Sequence, residues 1–362
     1  MGIYSIKIQN FKSIRETDDI LFKPLNVLIG PNGAGKSNFI SFFKLLNRLY
    51  EQQLQLYISQ NGRAENFLYF GRKVSDFLAG KIVFDNNWKN EYVFKMVPDH
   101  SGNLIFAEEW SNFSQPKSTA KNRSNISSGG NSESMLKNDD GYRNKYLRSQ
   151  FLGFKLFHFH DTSFNSKIKQ PSVTQDYASL REDGGNIAAF LYRLQESYPQ
   201  HFKVITRIIQ SIAPFFQEFY LEPDEINSQQ IFLRWKEKGS DQLFTAHNLS
   251  DGTLRMICLT SLLMQPHLPS AIIIDEPELG LHPFAIQKLA AMLKSASDKT
   301  QIIVSTQSIN LVDQFTADDI IVVERENNQT VFKRQNEEAL AAWREEYSLG
   351  ELWSKNVLGG TP

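Results

Sequence analysis

One octapeptide limits what this 362-residue chain can fold into more than any other feature. Gly30-Pro31-Asn32-Gly33-Ala34-Gly35-Lys36-Ser37 satisfies G-x-x-x-x-G-K-S/T at every required position. Glycines let the backbone curl so that successive N–H groups point inward at phosphate oxygens, and the helix that follows offers its positive end. Asn32, Gly33, Ala34, Gly35, Lys36, Ser37 and Asn38 are therefore candidate nucleotide-binding residues. Lys36 would neutralise the β- and γ-phosphates, and the Ser37 hydroxyl would sit on Mg²⁺. The flanks have the order the motif demands. Leu25–Ile29 is a short apolar run that stops at Gly30, and from Lys36 the spacing of Phe39, Ile40, Phe43, Leu46, Leu49 and Tyr50 is helical. Strand, glycine loop and helix make the chain α/β at its centre.

A second segment supplies acid. Ala271-Ile272-Ile273-Ile274-Asp275-Glu276 is an apolar strand ending in two carboxylates, which a buried strand tolerates only at its open C-terminal edge, where ligands sit in α/β sheets. Asp275 would hold Mg²⁺ beside Ser37, and Glu276 would act as general base on the attacking water. A third segment, Leu249-Ser250-Asp251-Gly252-Thr253-Leu254-Arg255, opens another helix. Ser250 is a good cap and Gly252 permits close backbone approach, so Ser250, Asp251 and Gly252 form a second candidate anion site.

Taken together, the chain resembles the ABC-type P-loop ATPases of the RecF/SMC/OLD-like branch, as an AAA-type ATPase without a fused Toprim domain. The resemblance runs through Ile6-Lys7-Ile8-Gln9-Asn10-Phe11-Lys12-Ser13-Ile14, the phosphate loop, and Leu249 to Arg255. It continues in Ile272-Ile273-Ile274-Asp275-Glu276-Pro277-Glu278, Leu279-Gly280-Leu281-His282-Pro283 and Ser305-Thr306-Gln307-Ser308. It implies an α/β fold with a P-loop ABC-type ATPase core, an antiparallel β subdomain and an inserted helical or lid region. It also implies ATP and Mg²⁺ as ligands, and a homodimer closing head to tail so that Ser250, Asp251 and Gly252 of one copy complete the pocket of the other. Lys36, Glu276 and Gln307 are the catalytic residues it points to. Three positions depart from the pattern. Asp251 stands where glycine is common, Thr253 where glutamine is common, and Gln307 where a switch histidine usually contacts the γ-phosphate. Glutamine donates a hydrogen bond but carries neither charge nor a mobile proton, so hydrolysis is expected to be slow or partner-stimulated. His282 falls where the family's loop crosses the dimer interface, or else caps the helix begun at Pro283. Gly71-Arg72-Lys73 lies in the plausible region of the glutamine loop, with a solvated basic turn as the simpler reading.

The rest of the sequence bounds the biology. Lys and Arg number 39 against 40 Asp and Glu, a net charge of −1, which argues against binding nucleic acid through bulk charge. One cysteine, Cys258, excludes a disulfide framework and reads as a small buried residue. The most apolar stretch, residues 256–264, is too short to cross a membrane. Met1-Gly2 suggests a myristoylation site, but Ile6 stands where Ser or Thr is wanted. A cytoplasmic protein is expected. Residues 1–110 read as an N-terminal ATPase lobe, 111–150 as a flexible insertion, 151–270 as a helical lid and signature subdomain, 271–335 as a C-terminal ATPase lobe and 336–362 as a tail. The insertion is rich in Ser, Asn, Lys and Gly, with Lys117, Lys121, Arg123, Lys137, Arg143, Lys145 and Arg148 making it mildly basic. His158 and His160 share one strand face, but two histidines make no tight metal site alone.

Three functions compete. The first is a dimerising ATPase in DNA repair or anti-phage defence, with DNA as a candidate partner. Residues 336–362 are too few for an independent domain, so the nuclease or effector is expected in trans. The second is a nucleotide-gated scaffold with little hydrolysis, which Gln307 keeps open. The third is a transporter ATPase subunit, disfavoured by the long, strand-rich stretch between Ser37 and Leu249.

Overall fold

The computed structural model describes residues 2–86, 89–114 and 121–360; Met1, Lys117 and residues 361–362 lie outside them. At its centre is a six-stranded sheet made by β4 (Leu25–Ile29), β9 (Phe154–Phe157), β15 (Ala271–Asp275), β16 (Gln301–Ser305), β17 (Ile320–Glu326) and β18 (Gln329–Arg334). Their spatial order is β18-β17-β4-β16-β15-β9, parallel except for β18. Parallel strands bury both faces and so read as unbroken apolar runs. Alternation then divides each run between two cores. Val27 and Ile29 of β4, with Ile272 and Ile274 of β15, face α5 (Ile187–Ser197), α6 (Pro199–Ile212), α7 (Asp251–Leu263) and α8 (Pro283–Ser297). Leu28, Ala271 and Ile273 face α1 (Lys36–Tyr50) on the other side.

Beyond α1 lies a seven-stranded antiparallel sheet. Five of its strands are β1 (Ile3–Phe11), β5 (Leu78–Phe84), β6 (Glu91–Pro98), β7 (Leu104–Ser114) and β8 (Lys121–Ser127), with the short β2 (Ile14–Glu16) and β3 (Ile20–Leu21) both paired to β1. Phe39, Phe42 and Phe43 of α1 fill the space between the two sheets. Phe42 packs edge-on to Phe11 with ring centroids 5.4 Å apart. The helical region carries a small sheet of β11 (Phe216–Tyr220), β13 (Arg234–Glu237) and β14 (Leu243–Thr245), and a pair, β10 (Ser172–Val173) with β12 (Gln230–Ile231). No helix among the described residues is long and apolar enough to cross a membrane.

Within residues 111–150, the described parts, 111–114 and 121–150, differ most from the sequence reading. β7 runs on to Ser114, β8 pairs with it antiparallel, and α4 (Lys145–Leu152) follows. Leu136 and Leu147 are fully buried. The segment is knitted in by polar side chains rather than by an apolar period. Buried Glu109 accepts hydrogen bonds from the Tyr92 hydroxyl (2.7 Å) and the Met135 N–H (3.0 Å). Glu133 accepts from the N–H groups of Leu54 and Gln55 at 3.0 and 2.9 Å, capping α2 (Leu54–Gln60). Such bonds satisfy backbone donors that a helix start leaves open, and they leave no trace in hydropathy. Elsewhere, α3 (Arg63–Phe67) follows α2, and α9 (Ile309–Val312) follows β16. The tail forms α10 (Glu337–Arg344) and α11 (Leu349–Ser354), and Trp353 is fully buried with its indole N–H donated to the Gly360 carbonyl.

Candidate nucleotide site

The phosphate loop is the turn from β4 into α1, and its shape depends on two glycines. At Gly30 (φ 150°) a Cβ would lie 2.1 Å from the Val323 carbonyl oxygen, and at Gly35 (φ 116°) 2.1 Å from Thr330 Oγ1. Larger residues have no room, whatever their conformational cost. Thr330 in turn donates to the Ala34 carbonyl at 2.8 Å and accepts from Ser13 Oγ at 2.7 Å, and Ser13 accepts from Asn38 Nδ2 at 2.7 Å. Residues of β18 and of the β1–β2 turn thus brace the loop from behind. In front, α1 starts with no side-chain cap and no acid in its first turn, leaving N–H groups and the helix dipole to an incoming anion. Asn32, Gly33 and Ser37 are exposed there, whereas Ala34 is buried.

Lys36 is 5% exposed and its ammonium donates to the carbonyls of Gly30 and Pro31, the latter at 3.1 Å. Burial pushes its pKa below the ordinary lysine value, while the charges of Glu276, Asp275 and Glu278 pull it back up. Those carboxylates reach Lys36 because only β16 separates β4 from β15. Leu28, Ser305 and Asp275 lie side by side across the three strands. Ser305 donates its hydroxyl to Asp275 Oδ1. Glu276 follows in the left-handed region at φ 42°, its N–H bonded to the Ser305 carbonyl at 2.9 Å. A non-glycine residue there costs on the order of 1 kcal/mol or more, and such strain concentrates at functional positions. Gln307 donates its side-chain amide to Glu276 Oε1.

The strand order also identifies a neighbour that the sequence left without a role. β9 is the strand beside β15, ending at Phe157 rather than at residue 160, and the chain leaving it carries His158 and His160 to the acidic edge. His160 Nε2 lies 2.8 Å from the Asp275 carbonyl oxygen and is the donor, since a carbonyl only accepts. Burial lowers the His158 pKa, with the Asp275 charge opposing it. Among the described residues no group of three or more His, Cys, Asp or Glu could hold a metal by itself. Gly71, Arg72 and Lys73 follow the segment in which Leu68 bridges Phe11 at the end of β1. Lys12, Asn66, Tyr69, Phe70, Arg325 and Asn328, with Ser13 and Asn38, line a cleft of about 370 Å³ next to the phosphate loop.

The second candidate anion site is the start of α7. Ser250 caps it, accepting from the Thr253 N–H at 3.2 Å, and Asp251 pairs with Lys169 at 3.4 Å. A Cβ on Gly252 would come within 2.8 Å of the Gly280 carbonyl, so α7 rests on the loop that follows Glu276. Arg255 fastens this contact. Its guanidinium donates to the carbonyls of Leu279, Phe159 (3.1 Å) and His160 (2.9 Å). His282 Nδ1 accepts from the Phe284 N–H at 3.3 Å, so it caps α8. Cys258 is buried in α7, which pushes its thiol pKa upward.

Comparison with known proteins agrees with this layout. Residues 97–313, more than half the chain, match the family described as "AAA domain, putative AbiEii toxin, Type IV TA system", and residues 1–86 match "AAA ATPase domain". The structure is similar to an SMC head bound to the C-winged helix domain of ScpA, with TM-score 0.57 and 16% identity over 94% of this chain and 100% of that one. It is equally similar (TM-score 0.57, 14% identity, 95% and 99% coverage) to an Smc head domain with an extended coiled coil bound to the C-terminal domain of ScpA, derived from Pyrococcus furiosus. No curated protein matches the sequence.

Proposed function

Because this chain belongs to the AAA-domain ATPase family and has the ABC-type head fold, we propose that it hydrolyses ATP in pockets shared head to tail between two copies. The observation that carries this reading is the row of Leu28, Ser305 and Asp275, which brings Lys36 within the field of three carboxylates at the sheet's open edge. In this reading the N–H groups of residues 32–37 and the Lys36 ammonium bind the β- and γ-phosphates. Ser37 and Asp275 offer hard oxygen donors of the kind Mg²⁺ prefers, and when bound the ion would offset charge on the phosphates. Glu276 takes the proton of the attacking water, and Gln307 fixes the carboxylate's direction. Ser250, Asp251 and Gly252 of the second copy close over the γ-phosphate, so the pair holds together only while that phosphate remains.

The 370 Å³ cleft would take the base and ribose, with half-exposed Phe70 as the stacking surface; its ring stands edge-on to Tyr69 at 4.6 Å. Stacking of a base on an aromatic ring is worth about 1–3 kcal/mol. Phe70→Ala is therefore expected to raise KM for ATP roughly tenfold with kcat within twofold, as befits binding lost equally from ground and transition states. Steady-state kinetics that showed KM unmoved would put the base elsewhere.

Sharing of the pockets has a direct test. Ser250→Arg and Lys36→Ala should each be inactive alone. Mixed, they should regain activity, because one of the two pockets then combines an intact Lys36 with an intact Ser250. The arginine meanwhile faces the pocket whose lysine is gone. If mixing restores nothing while the mixed pair still forms in ATP, the signature does not act across copies.

The biological setting we propose is DNA repair or defence against foreign DNA, with an effector as a separate polypeptide. The matched family's description, a putative AbiEii toxin of a type IV toxin–antitoxin system, favours defence. A second reading, a nucleotide-gated scaffold that hardly hydrolyses, rests on Gln307, which can hold Glu276 but cannot shuttle a proton. Single-turnover hydrolysis with and without co-purifying proteins separates the two.

A further inference from the structure

We propose that Glu278 is a positioning residue for hydrolysis: it holds the Thr306–Gln307 segment so that the Gln307 amide reaches Glu276. The inference rests on the ATPase reading above and adds to it a residue outside the reacting groups.

Glu278 stands two residues beyond Glu276, in a loop where a carboxylate would ordinarily face water. Instead it is only 8% exposed. Oε1 accepts from the Thr306 hydroxyl at 2.5 Å and from the Gln307 N–H at 3.3 Å. Oε2 is buried with no hydrogen-bond partner among the described residues. Burial pushes the carboxyl pKa up against those two bonds, and the neighbouring Glu276 charge pushes the same way. A half-satisfied buried carboxylate destabilises the fold, and an apolar residue of similar volume would serve packing better.

What the carboxylate does is close a ring. The Gln307 side chain bonds Glu276, the Gln307 backbone N–H bonds Glu278, and the 276–278 segment joins the two acids through Pro277. Thr306 adds a second tie, since its hydroxyl donates to Glu278 and accepts from the Ser308 N–H at 3.0 Å. Without Glu278, two donors on the segment after β16 lose their acceptor and Gln307 is free to swing. Catalysis tolerates such a misplacement poorly: a shift of about 1 Å can cost roughly a hundredfold in rate.

The test compares ATP hydrolysis by the full chain with that of Glu278→Ala, Glu278→Gln, Gln307→Ala and the double variant Glu278→Ala/Gln307→Ala. Glu278→Ala should lower kcat about ten- to a hundredfold with KM for ATP within twofold. Glu278→Gln keeps an accepting oxygen and should restore most of the rate. The double variant should be no slower than Gln307→Ala, because one residue acts through the other. An unchanged kcat in Glu278→Ala, or losses that simply multiply in the double variant, would overturn the inference. If Glu278→Ala does not fold, Glu278→Leu removes both ties at similar volume: a lowered kcat at unchanged ATP affinity supports the inference and an unchanged one sinks it. No turnover by the unmodified chain would take down the ATPase reading itself, whereas normal turnover with indifferent variants removes only the role of Glu278.

Discussion

Glu276→Gln is expected to bind ATP as the unmodified chain does, to hydrolyse it roughly 10²–10⁴-fold more slowly, and to accumulate as a closed pair. The substitution keeps the side chain's shape, so the Gln307 amide still finds an oxygen acceptor and the strained backbone at φ 42° is not asked to change. What is lost is the carboxylate that, in the proposed mechanism, takes the proton from water. Binding and chemistry should therefore separate cleanly: equilibrium titration with ATP gives an unaltered affinity, a single-turnover experiment gives the lowered rate, and light scattering in ATP gives twice the monomer mass. Ordinary hydrolysis by this variant would show that another group is the base.

Lys36→Ala should have the opposite signature, with loss at the binding step. In the folded chain the ammonium is nearly buried and is the positive charge set against Asp275, Glu276 and Glu278. Removing it takes away the charge-assisted partner of the phosphates, and it also leaves three carboxylates to repel a tetra-anion. Two effects of the same sign should weaken ATP binding at least about a hundredfold, near 2.7 kcal/mol. Isothermal titration measures this directly, and a thermal melt of the variant checks that the fold survives. If Lys36→Ala bound ATP within a few-fold of the unmodified chain, the phosphate loop would not be the triphosphate site.

Some parts of this site could be read without coordinates because their signals are local. The glycine loop, the unbroken apolar runs of β4 and β15, and the Ser cap of α7 each depend on neighbours within one element. Other parts depend on which strands end up adjacent. Nothing near His160 in the sequence says that β9 will lie beside β15, so its bond to the Asp275 carbonyl is visible only after folding. Arg255 is similar, since its acceptors are 24, 95 and 96 residues away. No local signal marks Glu278 for burial, which follows from the approach of Thr306. The strand and helix in the described part of residues 111–150 went unread for the same reason. Glu109 and Glu133 contribute hydrogen bonds instead of apolar area, and a search for hydrophobic period passes over them.

The guanidinium of Arg255 links three stretches of chain: the helix that begins at Asp251, the turn at Leu279 and the segment leaving β9. If two copies share their pockets as proposed, the first stretch would serve the twin's nucleotide and the other two would flank the chain's own. One side chain then works like the pivot of a balance. In such a pair, a tilt imposed at the far nucleotide would pass through these carbonyl contacts to the near one and couple the release of the two.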